Sequence, residues 1–155
     1  MGGYGGASGK ARRLQDGCYY DSKGFKVREP NSVLVAEYYL DWGMSVVFLH
    51  EKPEEGGRPD LLVDYKFLVE VKGIGSLKAG TIYKQIKHAS QQIADEQSRL
   101  PEDKPLTGKI VILSLHANFE AGFKAVNEGY QEAKRKNQVH FQTEFWFKGE
   151  IHILE

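Results

Sequence analysis

The chain has one cysteine, Cys18, so it can form no internal disulfide and no thiolate cluster that would hold zinc. No two of its five histidines stand at zinc-ligand spacing, which removes the common imidazole sites as well. No apolar run approaches the roughly 20 residues of a membrane-spanning helix. Positive charge is not in excess either. Lysine plus arginine number 21 against 21 aspartates and glutamates, a formal net charge of +0, unlike proteins that coat nucleic acid indiscriminately. Met1 to Gly9 holds glycines and no apolar segment, so it does not read as a signal peptide. Internal repeats are also missing, and no thiol chemistry can be argued from Cys18.

What remains is ample for one core. The 155 residues are 41% hydrophobic and 12% aromatic, which fits a single folded domain. Residues 1–13 read as a flexible Gly-rich lead-in with a basic end at Lys10, Arg12 and Arg13, and 14–155 as that domain. Pro30-Asn31-Ser32 starts a helix whose apolar positions Val33, Leu34, Ala36 and Leu40 run to a stop at Trp42-Gly43. Met44 to Leu49 suits a buried strand. A second helix is expected from about Thr81 to Arg99, with Ile82, Ile86, Ala89 and Ile93 as its seam and Gln85, His88 and Gln92 on an adjoining face.

Lys109 to Leu115 then reads as a central strand, and Phe119 to about Lys136 as a helix with a basic C-terminal end. Val139 to Phe147 alternates like a strand, and Lys148-Gly149 turns it into Ile151 to Leu154. His116-Ala117-Asn118 lacks the spacing of a histidine-dependent nuclease and reads as a turn with Asn118 capping the next helix. Gly73, Gly75 and Gly80 lack a Gly-Lys-Ser/Thr ending, so they form no phosphate loop; they loosen the backbone instead.

The chemistry concentrates between residues 58 and 73. Arg58-Pro59-Asp60 leads into a short apolar strand, and Phe67 to Gly73 forms another, with Glu70 and Lys72 on one face and Phe67, Val69 and Val71 on the other. If Asp64-Tyr65-Lys66 is a three-residue hairpin loop, position 60 falls opposite position 70, and both carboxylates share a face. Asp60, Glu70 and the backbone carbonyl of Val71 then offer the hard oxygen donors that Mg²⁺ or Mn²⁺ prefers. An ammonium at Lys72 can orient a metal-bound water or offset charge in a phosphoryl transition state. Partial exposure of these side chains is expected, so alanine there should spare the fold. Glu37, among apolar helix neighbours, is an acid that needs a partner.

Pro59-Asp60, nine residues, then Glu70-Val71-Lys72 resembles the motif of the PD-(D/E)XK nuclease superfamily. The resemblance implies an α/β fold with a restriction-endonuclease-like α-β-β-β-α-β core over roughly residues 31 to 116, here with an added C-terminal helix and β-hairpin as an appended layer. It also implies that Glu37 joins the metal site, and that Gln85 holds the phosphate or the attacking water. The submotif Gln-x-x-x-Tyr is absent, since Gln85 is followed by Ala89.

The order of these features, with Trp42-Gly43, Asp64 and Ile82-Gln85-Ile86-Ala89-Gln92, is further similar to C-terminal toxin domains of bacterial contact-dependent growth inhibition proteins and related polymorphic toxins. That likeness implies a nuclease cutting tRNA or DNA in the cytoplasm of a neighbouring cell, delivered from a bacterial cell and held in check by a cognate immunity protein. Relatives often have an acid followed by glycine where this chain has Asp64-Tyr65-Lys66. Lys66, Lys72, Lys78, Lys84, Lys87 and Lys109 are expected to form a modest basic rim suited to folded RNA. Two other readings are a DNA-cleaving enzyme of restriction, repair or a mobile element, and a catalytically silent binding module.

Overall fold

The computed structural model describes residues 30–49, 59–100 and 106–155, with three strand dipeptides before them. Those dipeptides, β1 (Arg12–Arg13), β2 (Tyr19–Tyr20) and β3 (Lys26–Val27), pair antiparallel in a small sheet of their own. Arg12 and Arg13 thus belong to a strand, where the sequence suggested the end of a flexible lead-in. Cys18 and Arg58 lie outside the described residues.

The elements that follow fall close to where pattern and turn chemistry put them. Helix α1 spans Pro30–Asp41, its fixed proline φ suiting a first turn. Gly43, at φ +81, accepts the left-handed conformation that ends it. Strands β4 (Val46–Phe48), β5 (Leu61–Val63) and β6 (Phe67–Ile74) come next, then helix α2 (Ala79–Ser98) and strand β7 (Thr107–Ser114). Helix α3 spans Phe119–Arg135, and the Ala121 N–H donates to the Asn118 Oδ1 as the sequence anticipated. Strands β8 (Gln142–Phe147) and β9 (Glu150–Leu154) close the chain as a hairpin.

One mixed six-stranded sheet, in the order β4-β5-β6-β7-β8-β9, organises everything else. The β4–β5, β5–β6 and β8–β9 pairs are antiparallel, while β6–β7 and β7–β8 are parallel. Parallel neighbours need long crossovers, and α2 and α3 supply them. The C-terminal hairpin therefore extends the sheet rather than forming an appended layer.

Alternation along the strands gives the sheet two apolar faces. Val69, Val71, Val111, Leu113 and Trp146 pack with Val33, Ala36 and Tyr39 of α1. Leu68, Ile110, Ile112 and Phe145 pack with Ile82, Ile86 and Ile93 of α2 and Val126 of α3. Each fully buried Val, Leu, Ile or Phe among them contributes about 1.5–3 kcal/mol. The two faces matter for the site, because odd-numbered residues of β6 look at α1 and even-numbered ones at α2.

Helices α2 and α3 touch at Gly129. A Cβ there would lie 2.9 Å from the Tyr83 backbone nitrogen and 2.8 Å from Ile82 Cγ2. Backbone cannot yield as a flexible side chain can, so Gly129→Ala should cost about 1–3 kcal/mol through forced separation of the helices. A thermal melt below that of the wild type checks this, and an unchanged melt would show that the crossing is looser than described.

Candidate active site

The β5–β6 connection is the three-residue loop expected from the sequence. Leu61 pairs with Val69, Leu62 with Leu68 and Val63 with Phe67, the register that brings position 60 opposite position 70. No glycine is needed because Asp64 and Tyr65 both adopt positive φ, +53 and +54, and the Lys66 N–H closes the turn on the Val63 carbonyl at 2.9 Å. Asp64 offsets that strain in part: its Oδ1 accepts from the Ser45 N–H at 3.1 Å, tying the turn to the approach of β4.

Asp60 sits at the bend before β5, and its carboxylate does part of the strand's work. The Val71 N–H donates to Asp60 Oδ2 at 2.8 Å, continuing the ladder past the end of β5. In the same register position 59 would face Val71, but Pro59 has no N–H to give. A residue's N–H and C=O point to the same side of a strand, so the Val71 carbonyl lies on the β5 side of β6, where position 59 offers no donor. This is a physical reason for a proline before the aspartate: it leaves a backbone oxygen on that edge without a ladder donor.

Glu70 and Lys72 project from β6 on the α2 face. Lys72 Nζ lies 3.1 Å from Glu70 Oε2, while Glu70 Oε1 is buried and makes no hydrogen bond of normal geometry. Burial first, and the charge of Asp60 second, push the Glu70 carboxyl up to about 9, with the Lys72 ammonium pulling the other way. The ion pair therefore does not by itself make up for desolvation and the neighbouring acid. Asp60 also lies close enough to favour the protonated form of Glu70. A second positive charge between the two carboxyl groups would relieve both effects, and the buried, unpartnered Oε1 is the atom it would satisfy. The oxygen donor set fits a hard divalent cation.

Both acids are more deeply buried than the sequence suggested: Asp60 and Glu70 are each 3% exposed. Their removal to alanine would leave cavities and, at Asp60, an unmet Val71 N–H, so the expectation that alanine spares the fold is corrected.

Glu37 is the other revision. Helix α1 packs on Val69 and Val71, the face opposite Glu70 and Lys72, and a half-buried Glu37 on that helix is not brought to them. Among the described residues no three Asp, Glu, His or Cys side chains come together as a metal-holding group. The α1 residue that does reach the neighbouring backbone is Asn31, whose amide lies where a Gly73 side chain would start.

Gln85 is half-buried on α2, the helix that covers the Glu70 face, without a bond to the pair that would fix a role. Seven residues on, Gln92 shares its helix face, is buried, and has an Oε1 with no hydrogen-bond partner. Its position beside Gln85 was visible in the helical spacing; its burial was not.

Lys109 leaves the expected basic rim altogether. Its Nζ lies 3.2 Å from Glu144 Oε2 and 3.3 Å from the Tyr39 hydroxyl, on the α1 side of the sheet. Burial works against the lysine charge, but Tyr39 and Glu144 hold its pKa above the ordinary lysine value. The Trp146 Nε1–H donates to Glu144 Oε1 at 3.0 Å, so this buried carboxylate is bonded through both oxygens and pins α1 to β7 and β8. Lys66, Lys78, Lys84 and Lys87 remain exposed.

Comparison of the chain with protein-family models, with curated proteins and with solved structures finds no match.

Proposed function

We propose that this chain is a metal-dependent nuclease of the PD-(D/E)XK kind, hydrolysing phosphodiester bonds in folded RNA such as tRNA, as the toxin domain of an interbacterial growth-inhibition system. The observation that carries the reading is the meeting of Asp60, Glu70 and Lys72 at the start of β5, where the Val71 N–H bonds Asp60 and Lys72 pairs with Glu70. The element order α1, β4, β5, β6, α2, β7, with two antiparallel pairs followed by one parallel, supports it.

Asp60, Glu70 and the Val71 carbonyl would hold Mg²⁺ or Mn²⁺, which when bound supplies Lewis acidity and an acidified water. The protein's own part is to hold the two carboxyl groups together in a dry setting, where each charged contact counts for more than in water. Glu70 must give up its proton to bind a cation. Lys72, one-fifth exposed, reaches both Glu70 and the solvent side where a phosphate would lie. Its ammonium would orient the attacking water or offset charge on the phosphoryl oxygens.

Besides Lys72, the lysines Lys66, Lys78, Lys84 and Lys87 are exposed, on a chain of net charge +0. That balance favours a shaped substrate over indiscriminate coating of duplex DNA. The toxin assignment and its implied immunity protein, like action in a target cell's cytoplasm, rest on the motif order in the sequence.

Incubation of the purified protein with tRNA and with duplex DNA tests the reading. Discrete tRNA fragments should appear with Mg²⁺ or Mn²⁺ and vanish in excess EDTA. Full cleavage in EDTA would sink the metal chemistry, and cut DNA beside intact tRNA would transfer the proposal to a DNase. Expression in a bacterial cytoplasm should arrest growth, and a co-encoded protein should restore it.

A further inference from the structure

We infer that the outer edge of β9 is a self-pairing surface, through which two copies of this chain join their six-stranded sheets in antiparallel register about His152. Lys148 and Gly149 form a two-residue hairpin loop with φ of +47 and +82, the type I′ geometry. In such a hairpin the flanking residues Phe147 and Glu150 form a hydrogen-bonded pair, so alternation turns the backbone groups of Glu150, His152 and Leu154 inward to β8. The N–H and C=O groups of Ile151 and Ile153 therefore point outward.

β9 ends the sheet order, and among the described residues no strand pairs with that edge. The usual protections are missing from it. β9 contains no lysine, proline or bulge, and its one acid, Glu150, lies at the start. Ile153 is instead 57% exposed. The edge is also self-complementary. With His152 facing its own copy, Ile151 meets the partner's Ile153 and Ile153 the partner's Ile151, each as a hydrogen-bonded pair. Every outward backbone group then finds a partner. On the α1 face the four isoleucines gather beside Trp146, which pairs with Ile151 across the hairpin. Net charge of +0 puts no long-range repulsion between two copies. A partner of other sequence would have to match this register, whereas a second copy does so by symmetry. The inference does not depend on the nuclease reading.

Sedimentation velocity of the full chain, from about 5 µM to about 500 µM, should show a monomer passing to a dimer, as expected for a contact at the small end of interface sizes. Amide exchange at Ile151 and Ile153 should slow with concentration. Ile153→Pro removes one outward N–H without touching the ladder to β8, and Ile153→Lys places a charge at the edge; both should raise the dissociation constant at least about tenfold while circular dichroism stays that of the wild type. A wild-type chain that stays monomeric throughout overturns the inference. So does a dimer that both variants form as readily as the wild type, or one that leaves the Ile151 and Ile153 amides unprotected.

Discussion

Asp60→Asn, Glu70→Gln and Lys72→Met should each lower the proposed nuclease turnover by about 10²–10³-fold, the scale of losing one group that stabilises charge in a transition state. Near-isosteric changes are required because both acids are buried. Asp60→Ala would also strip the Val71 N–H of its acceptor, so lost activity there could mean lost structure. With Asp60→Asn an oxygen can remain at that N–H while the charge goes. Steady-state cleavage of a labelled RNA, with circular dichroism on the same samples, separates the two. Wild-type rates in Asp60→Asn or Glu70→Gln would show the motif to be accidental. Glu37→Gln should retain most activity, since α1 lies on the other face of the sheet; a loss as large as that of Glu70→Gln would show that the helix moves when substrate binds.

The second large effect is on stability, and it runs opposite to the first. Folding raises the Glu70 pKa from the ordinary 4.5 to about 9, so between those values the folded chain holds a proton that the unfolded chain releases. Stability is therefore lost progressively as pH rises through that window. Glu70→Gln cannot ionise, so it should remove this slope and be more stable than the wild type by about 2–4 kcal/mol near pH 8. Mg²⁺ should narrow the gap by raising the melting temperature of the wild type and not of the variant. A Glu70→Gln protein that melts below the wild type at every pH would show that the carboxylate is already well compensated.

Much of this site could be read from residues close together in the chain. Loop length and strand alternation place Asp60 opposite Glu70, because a three-residue turn and a period of two leave one register. Asn118 and Lys148-Gly149 were legible for the same reason, as local hydrogen bonding and local φ. What escaped depended on partners far away in sequence. Lys109 looks like an exposed rim lysine until β8 comes alongside β7 and brings Glu144, 35 residues later, beneath α1. Glu37 looks like a ligand until α1 takes the opposite sheet face. The depth at which Asp60 and Glu70 lie is set by α2 and by neighbouring strands, none of which the motif encodes.

The pairing pattern of the sheet also orders events in time. Asp60 and Glu70 are ten residues apart and joined by one tight hairpin, a contact of the class that closes in about 1–10 µs. Neighbours β6 and β7, and then β7 and β8, must each wait for a whole helix to span the gap between them. Contacts so distant along the chain close slowly. On contact separation alone, the two acids would meet before their surroundings dry out, while water still screens their repulsion. Their repulsion would then sharpen only as the helical crossovers dock and exclude the water between them.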